Sequence, residues 1–335
     1  MKKWWAALAA STIVLATAGC DAGGSDGPSI VVYNAQHEQL ISEIAPGFTK
    51  KTGIKVQLRN GSDSELAAQL EQEGDASPAD VFLTENSPAM SQVERAGLLR
   101  PLPNSALAPI PAQYRPRSGL WTGFVGRSTV LVYNTEKVQP SELPSSLMDL
   151  ADPAWKGRVS FSPTGADFQA IVSAVLELKG EKATRAWLAG LKANGTTYDG
   201  NNVVLEAVNA GRSDVGIIYH YYWYRDQAES GAASDSSKLH FFDDQDPGAF
   251  LSVSGAGVLK SSKHPAEAQQ FVKYLNGPAG QKVLADSKAM EYPIGNGAKA
   301  NPALKPLSEL QPPTVAVATL NGQKVVDMMT AVGFL

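Results

Sequence analysis

"WTGFVGRSTVLVYN" (residues 121–134) reads as one long extended segment in a chain otherwise built of short strands and helices. A second extended stretch, "AFLSVSGAGVLK" (249–260), comes much later. Two long strands at separate points can each pass from one unit of the protein to another. They predict two α/β lobes joined by a two-strand hinge, a design suited to closing on a ligand. One large sheet with long edge strands fits the same residues, and the sequence leaves both arrangements open.

On either side of residues 121–134, strands and helices alternate. "SIVVYN" (29–34) is a short strand, followed by an amphipathic helix over 37–53 that Gly53 closes. Strand 54–58 leads to a helix over 62–74, which opens with the capping-box pair Ser62 and Glu65. Strand 79–84 precedes a helix over 87–97 with Pro88 in its first turn. The second half repeats the pattern. Strand 157–162 comes before helices 165–180, 181–195 and 201–211, then strand 214–219, with helical segments such as 265–277 near the end. Alternation of this kind means a mostly parallel sheet covered on both faces.

The first residues bear on the compartment. "MKKWW" is basic, and the apolar run after it, about 15 residues, is too short for a comfortable membrane span and has the layout of a secretory signal. It ends in "TAGC", which resembles a lipobox with Thr17 in the position usual for Leu; an ordinary cleaved signal is the alternative. Cys20 is the only cysteine, so the mature chain forms no internal disulfide and offers no thiolate to a metal. Residues 1–20 are therefore read as a lipoprotein signal with Cys20 lipidated, and 21–29 as a flexible tether. The remainder, roughly 305 residues, is enough for two domains. With 29 basic and 33 acidic residues and no basic stripe, nucleic acid is not expected as a partner.

In open parallel sheets, ligands sit beyond the carboxyl ends of the strands. His37 follows "VVYN", Glu85 follows "VFLT", "PTGA" follows "VSFS", and "HYYWY" follows "VGIIY". Tyr221 and Tyr222 would point to opposite faces of a strand, but at the turn from strand into helix they converge. Two phenols, a carboxylate and an imidazole form a hard donor set without sulfur. Phenol, with an ordinary pKa near about 10, binds as phenolate only where the metal displaces its proton. Anionic Glu85, Tyr221 and Tyr222 with neutral His37 cancel the charge of a tripositive ion. The helix start in "SPTGADF" (162–168) offers free N–H groups to a small anion, with Thr164 adding a hydroxyl; Asn201 is either a second contact or a simple N-cap. His220, His240 and His264 are not placed in the site.

The stretches "VVYNAQHEQL", "SPADVFLTEN", "NNVVLEAVNAG", "HYYWYRD" and "DQDPGAFLSVSGAGVLK" resemble the bacterial ferric-ion-binding proteins, substrate-binding components of iron(III) ABC transporters. The likeness runs from about residue 30 to about 295. It implies a two-lobed type II periplasmic-binding-protein fold, with lobes over 30–127 plus 252–302 and 128–251 plus 303–335. It also implies Fe3+ held by His37, Glu85, Tyr221 and Tyr222, and a synergistic phosphate or carbonate on Thr164, Gly165, Ala166 and Asn201. A permease and its ATPase are the implied partners of a lipid-anchored, non-enzymatic monomer. One departure concerns the anion: Tyr219 stands where many relatives have an asparagine.

Two rival readings fit the same residues. An organic-cation binder, for polyamines, would use the aromatic faces and Glu85. A secreted non-haem Fe(III) oxygenase would need a second histidine, for which His220 is available.

Overall fold

The computed structural model describes residues 27–230 and 235–335; Cys20, the signal and most of the tether lie outside them. The first part runs β1 (Ser29–Asn34), α1 (Glu38–Thr52), β2 (Lys55–Asn60), α2 (Asp63–Glu73), β3 (Val81–Leu83), α3 (Ser87–Arg95), β4 (Leu99–Arg100) and α4 (Asn104–Leu107). The long strand β5 (Trp121–Asn134) follows. Then come β6 (Val159–Phe161), α5 (Ala166–Asn194), β7 (Gly195–Thr197), α6 (Asn201–Asn209), β8 (Val215–Tyr219), α7 (His220–Ser230) and β9 (Ser237–His240). The chain closes with β10 (Leu251–Leu259), α8 (Pro265–Asn276), α9 (Pro278–Asp286), β11 (Tyr292–Pro293) and α10 (Gly322–Val332).

The strands lie in the order β2-β1-β3-β10-β5-β8-β6-β7. β1 is parallel to β2 and β3, and β6 is parallel to β7 and β8, as alternating strands and helices require. Between these two parallel sets stand the antiparallel strands. From Trp121 to Ser128, β5 pairs with β10; from Thr129 to Asn134, it pairs with β8 and β9. One strand therefore belongs to both lobes, and the two arrangements that the sequence left open are the same object. The second crossing is made where Thr129 N–H donates to the Phe250 carbonyl (2.9 Å), just before β10 begins. β11 adds a short rung against Val125 and Gly126 that the sequence reading did not anticipate.

Each lobe has its own core. In α1, Leu40, Ile41, Ile44 and Phe48 fall on one helical stripe and pack on Ile30, Val32, Val81 and Leu83. In the other lobe Phe161, Phe168, Trp187, Leu188, Val215 and Ile217 pack together with Met328 and Met329 of α10. Burying one such side chain contributes roughly 1.5–3 kcal/mol, so each lobe has ample area without disulfides. Two glycines matter to the shape. Gly180 (φ 77°) breaks α5 into the two predicted helices, and a Cβ on Gly123 would lie 2.5 Å from the Tyr114 carbonyl, which closes against β5.

Candidate metal centre

Four strand ends face the junction of the lobes. β1 ends at Asn34, and His37 caps the entrance to α1 without a side-chain capping bond, so its imidazole is free to point into the cleft. β3 leads to Glu85, whose loop is clamped from below. The buried carboxylate of Asp63 accepts the N–H groups of Glu85 and Asn86, both at 2.8 Å. The Arg127 guanidinium donates to the Glu85 carbonyl. On the other lobe β8 ends at Tyr219 and α7 begins at His220, so Tyr221 and Tyr222 occupy the first helical turn. Their rings stack with centroids 4.1 Å apart, on the same side as the turn geometry predicted.

These side chains meet across the cleft. His37 Nε2 lies 3.3 Å from Tyr221 Oη and 3.6 Å from Glu85 Oε1. Tyr222 Oη lies 3.1 Å from Asp167 Oδ2. Among the described residues no group of three His, Cys, Asp and Glu side chains is set to hold a metal.

Burial dominates the electrostatics of this cluster. Burial pushes the carboxyl of Glu85 and the phenols of Tyr221 and Tyr222 well above their ordinary values, and the charge of Asp167 adds to each shift. The phenols therefore hold their protons at neutral pH until something displaces them. Arg127 is fully buried at the crossing. Burial works against its charge, but Glu291, Glu85 and Asp167 outweigh that and keep it protonated.

Part of the expected anion region is engaged by the chain itself. Thr164 is exposed, its carbonyl accepting from the Gln169 amide (3.4 Å), and Gly165 is the N-cap residue of α5, which starts at Ala166. Asn201, buried at the start of α6, donates to Asp167 Oδ2 (3.0 Å). The Asn86 amide donates to the other oxygen of Asp167 (3.2 Å). A carboxylate of the chain itself thus sits in the first turn of α5, among the groups expected to receive a free anion. Tyr219 is buried, donating to Asn86 Oδ1 and the Asp167 carbonyl, both at 3.3 Å.

Arg127, Asp63, Asp167 and Glu291 were not singled out from sequence. Arg127 left a signal: a lone charge in an apolar strand must be paired if it is buried. Glu291 left none. It is 1% exposed, and its Oε1 lies 2.8 Å from His37 Nδ1. Burial raises its pKa, but the His37 hydrogen bond and the neighbouring positive charges lower it further, so the carboxylate stays ionised. His220 points to the hinge instead of the phenols. Its ring stacks on Tyr292 at 4.5 Å, and its Nδ1 accepts from Ser128 N–H (3.2 Å). Burial pushes the imidazole down to about 3, so it is neutral.

Two α/β lobes, crossing strands and donors converging from both sides define a two-lobed solute-binding protein. The chain belongs to the bacterial extracellular solute-binding protein family, which it matches over residues 34–282. It is 57% identical over 329 residues to the Fe(3+)-binding periplasmic protein of Serratia marcescens, covering 98% of this chain and 97% of that one. It is 39% identical over 294 residues to the major ferric iron-binding protein of Neisseria gonorrhoeae, covering 87% and 88%. Among solved structures, iron-bound HitA from Pseudomonas aeruginosa aligns with a TM-score of 0.87 at 44% identity, over 92% of this chain and 100% of that one. A Trichodesmium protein, IdiA (FutA), in complex with iron and citrate aligns at 0.82 and 30%, over 92% and 100%. The resemblance read from the sequence holds.

Proposed function

We propose that this protein captures ferric iron outside the cytoplasm by closing its lobes and delivers it to the permease and ATPase of an ABC transporter. The observation that carries this is that His37 lies 3.6 Å from Glu85 on its own side and 3.3 Å from Tyr221 on the other, with Tyr222 stacked beside Tyr221. Its relatives' names and bound iron support the same reading. The ligands we assign are His37, Glu85, Tyr221 and Tyr222. When the ion enters, it displaces the phenol protons, and three anionic donors cancel its charge.

For the remaining coordination positions we infer a further oxygen donor near the start of α5. A small anion such as phosphate or carbonate on Thr164, Gly165, Ala166 and Asn201 is one candidate. The Asp167 carboxylate, already bonded to Asn201 and Tyr222, is the other. We further propose that Cys20 carries a lipid anchor and residues 21–29 a tether. The lobes are 30–127 with 252–302 and 128–251 with 303–335, and the protein works as a non-enzymatic monomer.

Titration with ferric citrate, with and without phosphate or carbonate, tests the assignment through the visible phenolate-to-iron band. A colourless protein whose Tyr221→Phe variant binds iron as well as the parent overturns it.

A further inference from the structure

His37 has two nitrogens, and only one can face a metal. Its Nε2 points to Tyr221 and Glu85, while its Nδ1 lies 2.8 Å from Glu291 Oε1. We infer that Glu291 is the positioning residue of the site: its buried carboxylate accepts a hydrogen bond from His37 Nδ1–H and so fixes the tautomer whose Nε2 lone pair faces the ligand position. This rests on the assignment of His37 as an iron ligand.

Three features support a dedicated role. First, Glu291 is held on both sides. Its Oε2 lies 3.4 Å from the Gln36 amide, next to His37 in the chain, and 3.6 Å from Arg127 Nη1. Second, Glu291 makes the shortest polar contact of the imidazole, 2.8 Å against 3.3 Å to Tyr221 and 3.6 Å to Glu85, and His37 makes no side-chain cap to α1. Third, Glu291 is delivered by the hinge itself. Met290 before it has a left-handed φ of 55°, and Tyr292 after it pairs with Gly126 of β5. The direction of the imidazole is thereby tied to the strand that joins the lobes. A bulky residue with positive φ is strained, and such backbone is retained where it places a neighbour. A carboxylate on the far nitrogen of a ligating histidine orients the ring and raises its basicity, and losing it lowers metal affinity roughly 10–100-fold.

The test is a double-mutant cycle on the full protein, with Fe(III) affinity measured by citrate competition. In the parent background, Glu291→Met should weaken binding roughly 10–100-fold, and Glu291→Gln, which keeps an acceptor, should weaken it less. In the His37→Ala background either substitution should change affinity by less than about two-fold, because the ring it orients is gone. 15N NMR should show His37 protonated on Nδ1 in the metal-free parent and in mixed tautomers in Glu291→Met. Should Glu291→Met not fold, Glu291→Gln in the two backgrounds gives the same comparison. Equal losses in both backgrounds mean a purely structural role and overturn the inference, as does a loss under two-fold in the parent. Loss of colour in Tyr221→Phe shows separately whether the iron assignment stands.

Discussion

Tyr221 Oη and His37 Nε2 lie 3.3 Å apart although 184 positions separate them in the chain. They belong to different lobes, and the contact exists only because β5 and the β9–β10 crossing bring those lobes face to face. Removing the phenol should therefore have little effect on the metal-free fold and a severe effect on iron. Tyr221→Phe keeps the ring stack on Tyr222, so its melting temperature should stay close to the parent's. Its Fe(III) affinity should fall by more than the roughly 100-fold that loss of an outer partner costs. The visible band should weaken in both Tyr221→Phe and Tyr222→Phe.

Iron should be released as pH falls. The phenol pKa values of the metal-free protein are raised, so Tyr221 and Tyr222 are protonated throughout the neutral range, and the ion must expel those protons. Each proton expelled makes apparent affinity rise about ten-fold per pH unit, so two phenols give a slope of at least two, and the raised Glu85 carboxyl steepens it at the acidic end. Competition titrations between pH 5 and 8, with proton release followed directly, check both sign and slope. A flat profile contradicts phenolate ligation.

Asp63 holds the loop that carries Glu85. Burial comes first and pushes its pKa up from 3.8 to about 7, against two backbone hydrogen bonds that pull it down. An acid with a raised folded-state pKa stabilises the fold fully below its unfolded value, and that contribution is lost as pH rises through 7. The metal-free protein should thus lose stability between pH 4 and 7 from this group, and Asp63→Asn should flatten that part of the curve. Asp63→Ala, which strands two buried N–H groups, should lose about 1–3 kcal/mol and loosen iron binding. Thermal melts across pH, with iron titrations alongside, measure both.

Arg127 is the fully buried cation at the crossing, 3.6 Å from Glu291 and 3.9 Å from Glu85. Arg127→Met leaves those carboxylates without their counter-charge, and breaking a buried pair in this way is expected to cost about 3–5 kcal/mol. Arg127→Lys should recover only part of that, because an ammonium cannot reach Ser254, Asn86 and the Glu85 carbonyl together. Chemical denaturation of the three proteins ranks them.

Asp167 already engages Asn201, one of the groups proposed for a free anion. Asp167→Asn should lower Fe(III) affinity and make it respond to added phosphate or carbonate more strongly than the parent does. An unchanged response leaves Thr164 and Gly165 as the anion contacts and removes Asp167 from the site.

Much of the frame was legible in the residues. The alternation of strands and helices, the strand end at Tyr219 and the long run 121–134 all follow from local patterning. The proposed ligands His37, Glu85, Tyr221 and Tyr222 stood out as candidates because each lies just past a strand end, where parallel sheets place ligands. Asp63 was hidden because a helix-start aspartate looks like an ordinary first-turn acid. Asp167 was hidden for the same reason, although it lies within the stretch read as an anion site.

By itself the sequence determined the elements and their polarity, since periodicity, glycines and caps act within a few residues. It also determined the chemistry available at the strand ends. Tertiary structure alone decided that one ladder is two lobes sharing β5, and that a carboxylate at 291 faces an imidazole at 37. It also decided that the start of α5 holds a carboxylate of its own chain. Those relationships span up to 254 positions. They depend on how the lobes pack across the hinge, which no local pattern of residues encodes.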